Sequence, residues 1–162
     1  MLEITFGRIE AGWAHMWFDT GTTRMEVHIS YLTEPFADLA DLALAMQRGE
    51  PRAQMQFTEE PREYRLIATR TGGKYDLRLE RWTDIYCNPK EDNKLEKVCF
   101  EVSGIEPTAF AQQVCTELKR VAVFPAVQEW QMKDDDEDDD IRVPDYQFRD
   151  AKIAELEQAL MA

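Results

Sequence analysis

Two histidines and three cysteines are the side chains best suited to chemistry at neutral pH, and their spacing limits what they can do. His15 and His28 fall on separate predicted strands, either of which can carry them onto a common face. Two imidazoles on neighbouring strands can hold a metal ion or work as acid and base. Their spacing is not that of HExxH or a related helical metal motif. His28 alternates with Arg24, Glu26 and Ser30, which turns it to solvent, and His15 stands among aromatic residues. The pattern therefore predicts a surface position for one and a packing position for the other. A small enzyme or small-molecule-binding site on the sheet, using both, is the alternative reading.

The other reactive groups offer less. Cys87, Cys99 and Cys115 are an odd number at wide spacing with no CxxC pair, which argues against a disulfide framework or a zinc site and for free thiols packed as small apolar groups. Ser30 and Ser103 are the only serines, and neither lies in a GxSxG elbow. Gly72-Gly73 lacks the Lys-Ser/Thr and following helix of a phosphate loop, and no GxGxxG occurs. Glu59-Glu60 and Glu26 are carboxylates of the kind a hydrolase pairs, but acidic side chains mostly face water. No complete catalytic site, metal or cofactor is expected.

Charge is the most informative quantity. The chain carries 32 acidic against 19 basic residues, a net −13. Such a field repels nucleic-acid phosphates and anionic lipid and speeds encounter with basic proteins. Seven of the carboxylates stand together as Asp134, Asp135, Asp136, Glu137, Asp138, Asp139 and Asp140, and removing those seven from −13 leaves −6 for the remainder. Three readings fit this run. Asp134, Asp136 and Asp138 match the first ligands of an EF-hand, but Asp139 stands where its glycine belongs and Asp145 where its glutamate belongs. The run also suits a counter-surface for a basic protein, and equally a self-repelling, disordered loop over 133–141. Trp130 before it and Tyr146 and Phe148 after it are aromatic anchors, either for a partner or for the core.

The elements that must position these groups can be read from hydrophobic period. Leu2, Ile4 and Phe6 alternate with polar neighbours, Trp13–Phe18 is apolar or aromatic on both faces as in a covered central strand, and Met25, Val27, Ile29 and Tyr31 alternate again. Thr20-Gly21-Thr22 closes a hairpin between the last two. At Pro35 the period becomes helical, giving a helix over about 36–48 with Gly49 at its C-terminus. Strand patterns resume at Ala53–Phe57, Tyr64–Ala68, Tyr75–Leu79 and Val98–Val102, with turns at Glu59–Arg62 and Gly72-Gly73 and a polar loop at Asn88–Asn93. Pro107 opens a helix running to about Phe124, where Pro125 stops or kinks it, and Asp150 is placed to cap a last helix with Ile153, Leu156 and Leu160. The pattern leaves Ala126–Met132 undecided. The sum is an α+β fold: a largely antiparallel sheet of about seven strands, a short helix after the third, and C-terminal helices packed on one side.

The stretches Ile29–Pro35, Asp38–Ala45, Arg48-Gly49-Glu50 and Phe57–Leu66 together resemble a widespread group of small bacterial proteins, some of which are similar to immunity proteins of polymorphic-toxin and contact-dependent growth inhibition systems. The likeness covers about residues 25–80, and the terminal helix loosely. Its motif shapes a scaffold, and the acidic run lies where members of the group vary. What the resemblance implies is a single-domain antagonist, spanning 1–162, that binds a toxin domain in the cytoplasm. Joined to the charge, this predicts a non-enzymatic inhibitor of a basic toxin domain, with Trp130, Asp134–Asp140 and Tyr146 as its contact residues. No apolar run reaches the roughly 20 residues of a bilayer span, and no secretory leader is evident at the N-terminus.

Overall fold

The computed structural model describes residues 1–10, 12–30, 32–83, 93–124, 127 and 146–161, the first four of the last segment by backbone alone. Among these lie seven strands and three helices: β1 (Glu3–Glu10), β2 (Trp13–Asp19), β3 (Arg24–Ser30), α1 (Pro35–Gln47), β4 (Arg52–Glu59), β5 (Arg62–Thr71), β6 (Lys74–Trp82), β7 (Leu95–Ile105), α2 (Pro107–Ala122) and α3 (Tyr146–Met161). All pairings are antiparallel, so the α+β expectation holds.

The single seven-stranded sheet does not. β1-β2-β3 form one sheet and β4-β5-β6-β7 another. β3 and β4 still lie side by side, but where a ladder would join them the His28 N–H donates instead to the Glu59 carboxylate, at 3.0 Å. Alternation along a strand reports which face is buried; it is silent on whether an edge finds a carbonyl or a side chain.

One apolar cluster runs through both sheets and all three helices. Ile4, Phe6, Ala14, Met16, Phe18, Val27 and Ile29 supply the inner face of the first sheet, and Met55, Phe57, Tyr64, Leu66, Leu77 and Leu79 that of the second. Phe18 ties them together, with its ring 6.1 Å from that of Phe57 and 5.6 Å from that of Phe100. The three helices pack on one another, with α1 also lying on β4 and α2 on β1. α1 ends as its glycine foretells. Gly49 adopts φ +77°, its N–H donates to Met46 O, and the Glu50 N–H reaches back to Ala45 O, the paired bonds of a Schellman turn. α3 starts four residues before the expected cap, so Asp150 lies inside the helix and Tyr146 opens it.

The outer strands are each blunted. The free edge of β1 is occupied by side chains of α2: Gln113 donates to Ile4 O at 2.6 Å, Glu117 accepts from Phe6 N–H, and Arg120 donates to Phe6 O while pairing with Glu117. β1 also carries a bulge between Phe6 and Ile9. At the other extreme, β7 meets β6 with three register shifts and exposes Glu96, Lys97 and Glu101. Irregularity and charge of this kind discourage pairing with another strand.

Candidate functional site

The first sheet buries one face and leaves the other open. Along β2, Ala14, Met16 and Phe18 go inward, so Trp13, His15 and Trp17 must go outward, and all three are half-buried. This corrects the expectation of a strand covered on both sides: aromatic content alone does not distinguish a second covering layer from an aromatic outer face. β3 adds Arg24, Glu26 and His28 to the same face by the same two-residue period.

Hairpin geometry then sets who meets whom. The turn is fixed locally: Thr20 N–H donates to Thr23 O, Thr20 Oγ1 accepts from Thr23 N–H, and Asp19 Oδ1 accepts from Gly21 N–H, with Gly21 at φ +83° where other residues are strained. Asp19 therefore faces Arg24, and four steps back along each strand His15 faces His28. Their rings lie 4.2 Å apart, centre to centre. Glu26, opposite Trp17, reaches diagonally across to His15 and along its own strand to His28. Its Oε1 is 2.6 Å from His15 Nδ1 and its Oε2 is 3.6 Å from His28 Nε2. The hydrogen bond with His15 holds the Glu26 carboxyl below its ordinary range, opposed by partial desolvation and helped by the charges of the two imidazoles.

Neighbouring groups frame this trio. A Cβ on Gly7 would sit 3.2 Å from Trp17 Nε1 and 3.5 Å from His15 Cβ, so the bare glycine lets the indole lie against β1 beside the histidine. The Arg24 guanidinium rests 4.5 Å from the centre of the Trp17 ring. The side chains of His15, Glu26 and His28 are 28%, 30% and 48% exposed, so the cluster is open to solvent rather than enclosed. Two imidazoles and a carboxylate offer three ligand atoms within 4.8 Å of one another. The sequence reading separated the histidines into a solvent and a packing position. The structure brings them together, and counting outward from the Thr20–Thr23 turn was the signal that could have found them.

A second concavity, a shallow cleft of about 270 Å3, lies between α2 and α3 and includes Cys115, Lys119 and Glu157. Burial pushes the Cys115 thiol up, and Lys119 is held by Glu157 at 2.6 Å, so this cleft presents neither a thiolate nor an unengaged amine. Cys99 is half-buried and is likewise raised, chiefly by burial. Of the contact residues expected from the sequence, Trp130 and Asp134–Asp140 lie outside the described residues, as do Cys87 and most of 126–132; Tyr146 is placed by its backbone at the start of α3. No described helix is long and apolar enough to cross a membrane. No family model, curated protein or solved structure matches the chain.

Proposed function

We propose that the chain is an immunity-type binding protein that neutralises a basic toxin domain, such as a nuclease, by covering its active face. The observation that carries this reading is the distribution of charge. Seven carboxylates stand in one run of a chain whose net charge is −13. In the described body several cations are already paired with carboxylates: Arg65 with Glu63, Arg78 with Glu80, Arg81 with Glu96, Arg120 with Glu117, Lys119 with Glu157 and Lys152 with Asp41. With 32 acidic against 19 basic residues the uncompensated charge of the chain is negative, and its field acts on whatever approaches. Negative potential steers a cationic protein and repels nucleic acid. Trp130 and Tyr146 supply the aromatic anchors that convert an encounter into a lasting complex.

The test is kinetic. Mixed with a basic nuclease-toxin domain that it inhibits, the chain should associate at least about tenfold more slowly when salt is raised from about 50 to about 500 mM. The Asp134–Asp140→Ser variant should associate slowly at both. Failure to inhibit any of a broad panel of basic toxin domains, or wild-type association by the serine variant, overturns the reading.

A second reading, a small-molecule or enzymatic site, is favoured by the His15–His28 pairing across the hairpin. An imidazole backed by a carboxylate is a competent proton acceptor. The open setting weighs against it, because a substrate bound there would stay hydrated and gain little from the pair.

A further inference from the structure

The geometry points to a single binding site for a divalent transition-metal ion of the zinc, copper or nickel class, held by His15, Glu26 and His28; it stands independently of the toxin-binding reading. Borderline imidazole nitrogens with one carboxylate oxygen are the donors such ions prefer, whereas magnesium and calcium take oxygen alone. Ligands bound at about 2.0–2.2 Å to one ion must lie within roughly 4 Å of each other. The three donor atoms here lie within 4.8 Å of one another. Side-chain rotation alone closes that gap, because the backbone positions are fixed by register.

Three features prepare the site. The turn at Thr20–Thr23 locks His15 opposite His28. The seam fixes β3 through the Glu59 carboxylate, which takes the backbone N–H of His28 itself. The bare Gly7 on β1 leaves room for the Trp17 indole and for His15, since a Cβ there would meet Trp17 Nε1 at 3.2 Å and His15 Cβ at 3.5 Å. Glu26 already engages both imidazoles, by a hydrogen bond from His15 Nδ1 at 2.6 Å and by an ion-pair contact with His28 Nε2 at 3.6 Å. On binding, His15 Nδ1 and His28 Nε2 exchange that carboxylate contact for the metal, the proton that His15 Nδ1 shares with Glu26 is released to solvent, and Glu26 becomes a ligand of the same ion. Three protein ligands on an open face leave a coordination position for water or for a group from outside, the arrangement of exchangeable rather than purely structural zinc.

The experiment uses the full chain stripped of metal, titrated with zinc chloride by calorimetry and, in parallel, with cobalt(II) followed by its visible d–d absorption. The expected result is one ion per chain at micromolar affinity, and a melting temperature higher by about 5–10 °C once zinc exceeds Kd a hundredfold. His28→Gln and Glu26→Gln should each weaken binding by about tenfold or more. His28→Gln leaves the backbone bond to Glu59 in place, so it tests ligation without dismantling the seam. Asp134–Asp140→Ser should bind zinc as the wild type does, and magnesium or calcium at the same concentration should not compete. Zinc affinity that survives His28→Gln, or disappears in the serine variant, overturns the assignment, as does the lack of any stoichiometric binding.

Discussion

At the scale of single residues, Glu59 has the widest reach. One carboxylate oxygen accepts the His28 N–H of the first sheet, and the other accepts the Tyr64 hydroxyl of the second, at 3.1 Å. Tyr64 is pushed up to about 12, first by burial and then by the charge and hydrogen bond of Glu59. A phenol raised in the folded state stabilises it fully below the unfolded value of about 10, and that contribution is lost as pH climbs through the folded value. Between pH 10 and 12 the wild type should therefore lose about 2 kcal/mol that Tyr64→Phe does not lose, measured by urea unfolding at several alkaline pH values. Equal slopes for the two proteins would show that the phenol is not protected. Tyr75 is raised as well, by burial, with its hydroxyl donating to Glu50 O; it is common to both proteins and cancels in the comparison.

At the scale of elements, α2 acts as a substitute for a missing strand beside β1. Its Gln113, Glu117 and Arg120 fall on one helical face and meet three consecutive backbone groups of the strand, Ile4 O, Phe6 N–H and Phe6 O. Glu117 is buried, so Glu117→Ala strands the Phe6 N–H and one side of Arg120 and should cost about 2 kcal/mol in denaturant unfolding. Glu117→Gln keeps an acceptor and should cost less. Every strand and the first two helices were legible from period, because burying one face forces alternation and burying one stripe forces the 3.6-residue repeat. The caps were legible where one residue type is demanded, as at Gly49. The start of α3 was not, since Asp150 suits a cap but is also tolerated within a helix. Nor was the break between the sheets, where the side chain of Glu59 and not a strand carbonyl receives the His28 N–H. The candidate site was half legible: hairpin arithmetic places His15 against His28, but the diagonal reach of Glu26 and the seat of Trp17 over Gly7 depend on rotamers, which no spacing specifies.

At the scale of the whole molecule, the densest block of charge, Asp134–Asp140, contains no apolar side chain. Among the described residues the apolar cluster is built from residues before 128 and after 152, and seven carboxylates have nothing apolar to add to a core. Asp134–Asp140→Ser should therefore keep the far-ultraviolet circular dichroism of the wild type and melt within about 2 °C of it, or slightly higher as self-repulsion eases. A drop of 5 °C or more would mean that the run is a working part of the fold. The treatment of β1 and β7 has a consequence for assembly. With helix side chains plugging the edge of β1, bulges and charges roughening β7, and β3 and β4 facing each other across the seam, the described strands offer no ready edge to a donated segment, from a ligand or from a second copy. Crowded to high concentration, the described strands give the chain no zipper with which to polymerise, and whatever they recruit must be met broadside.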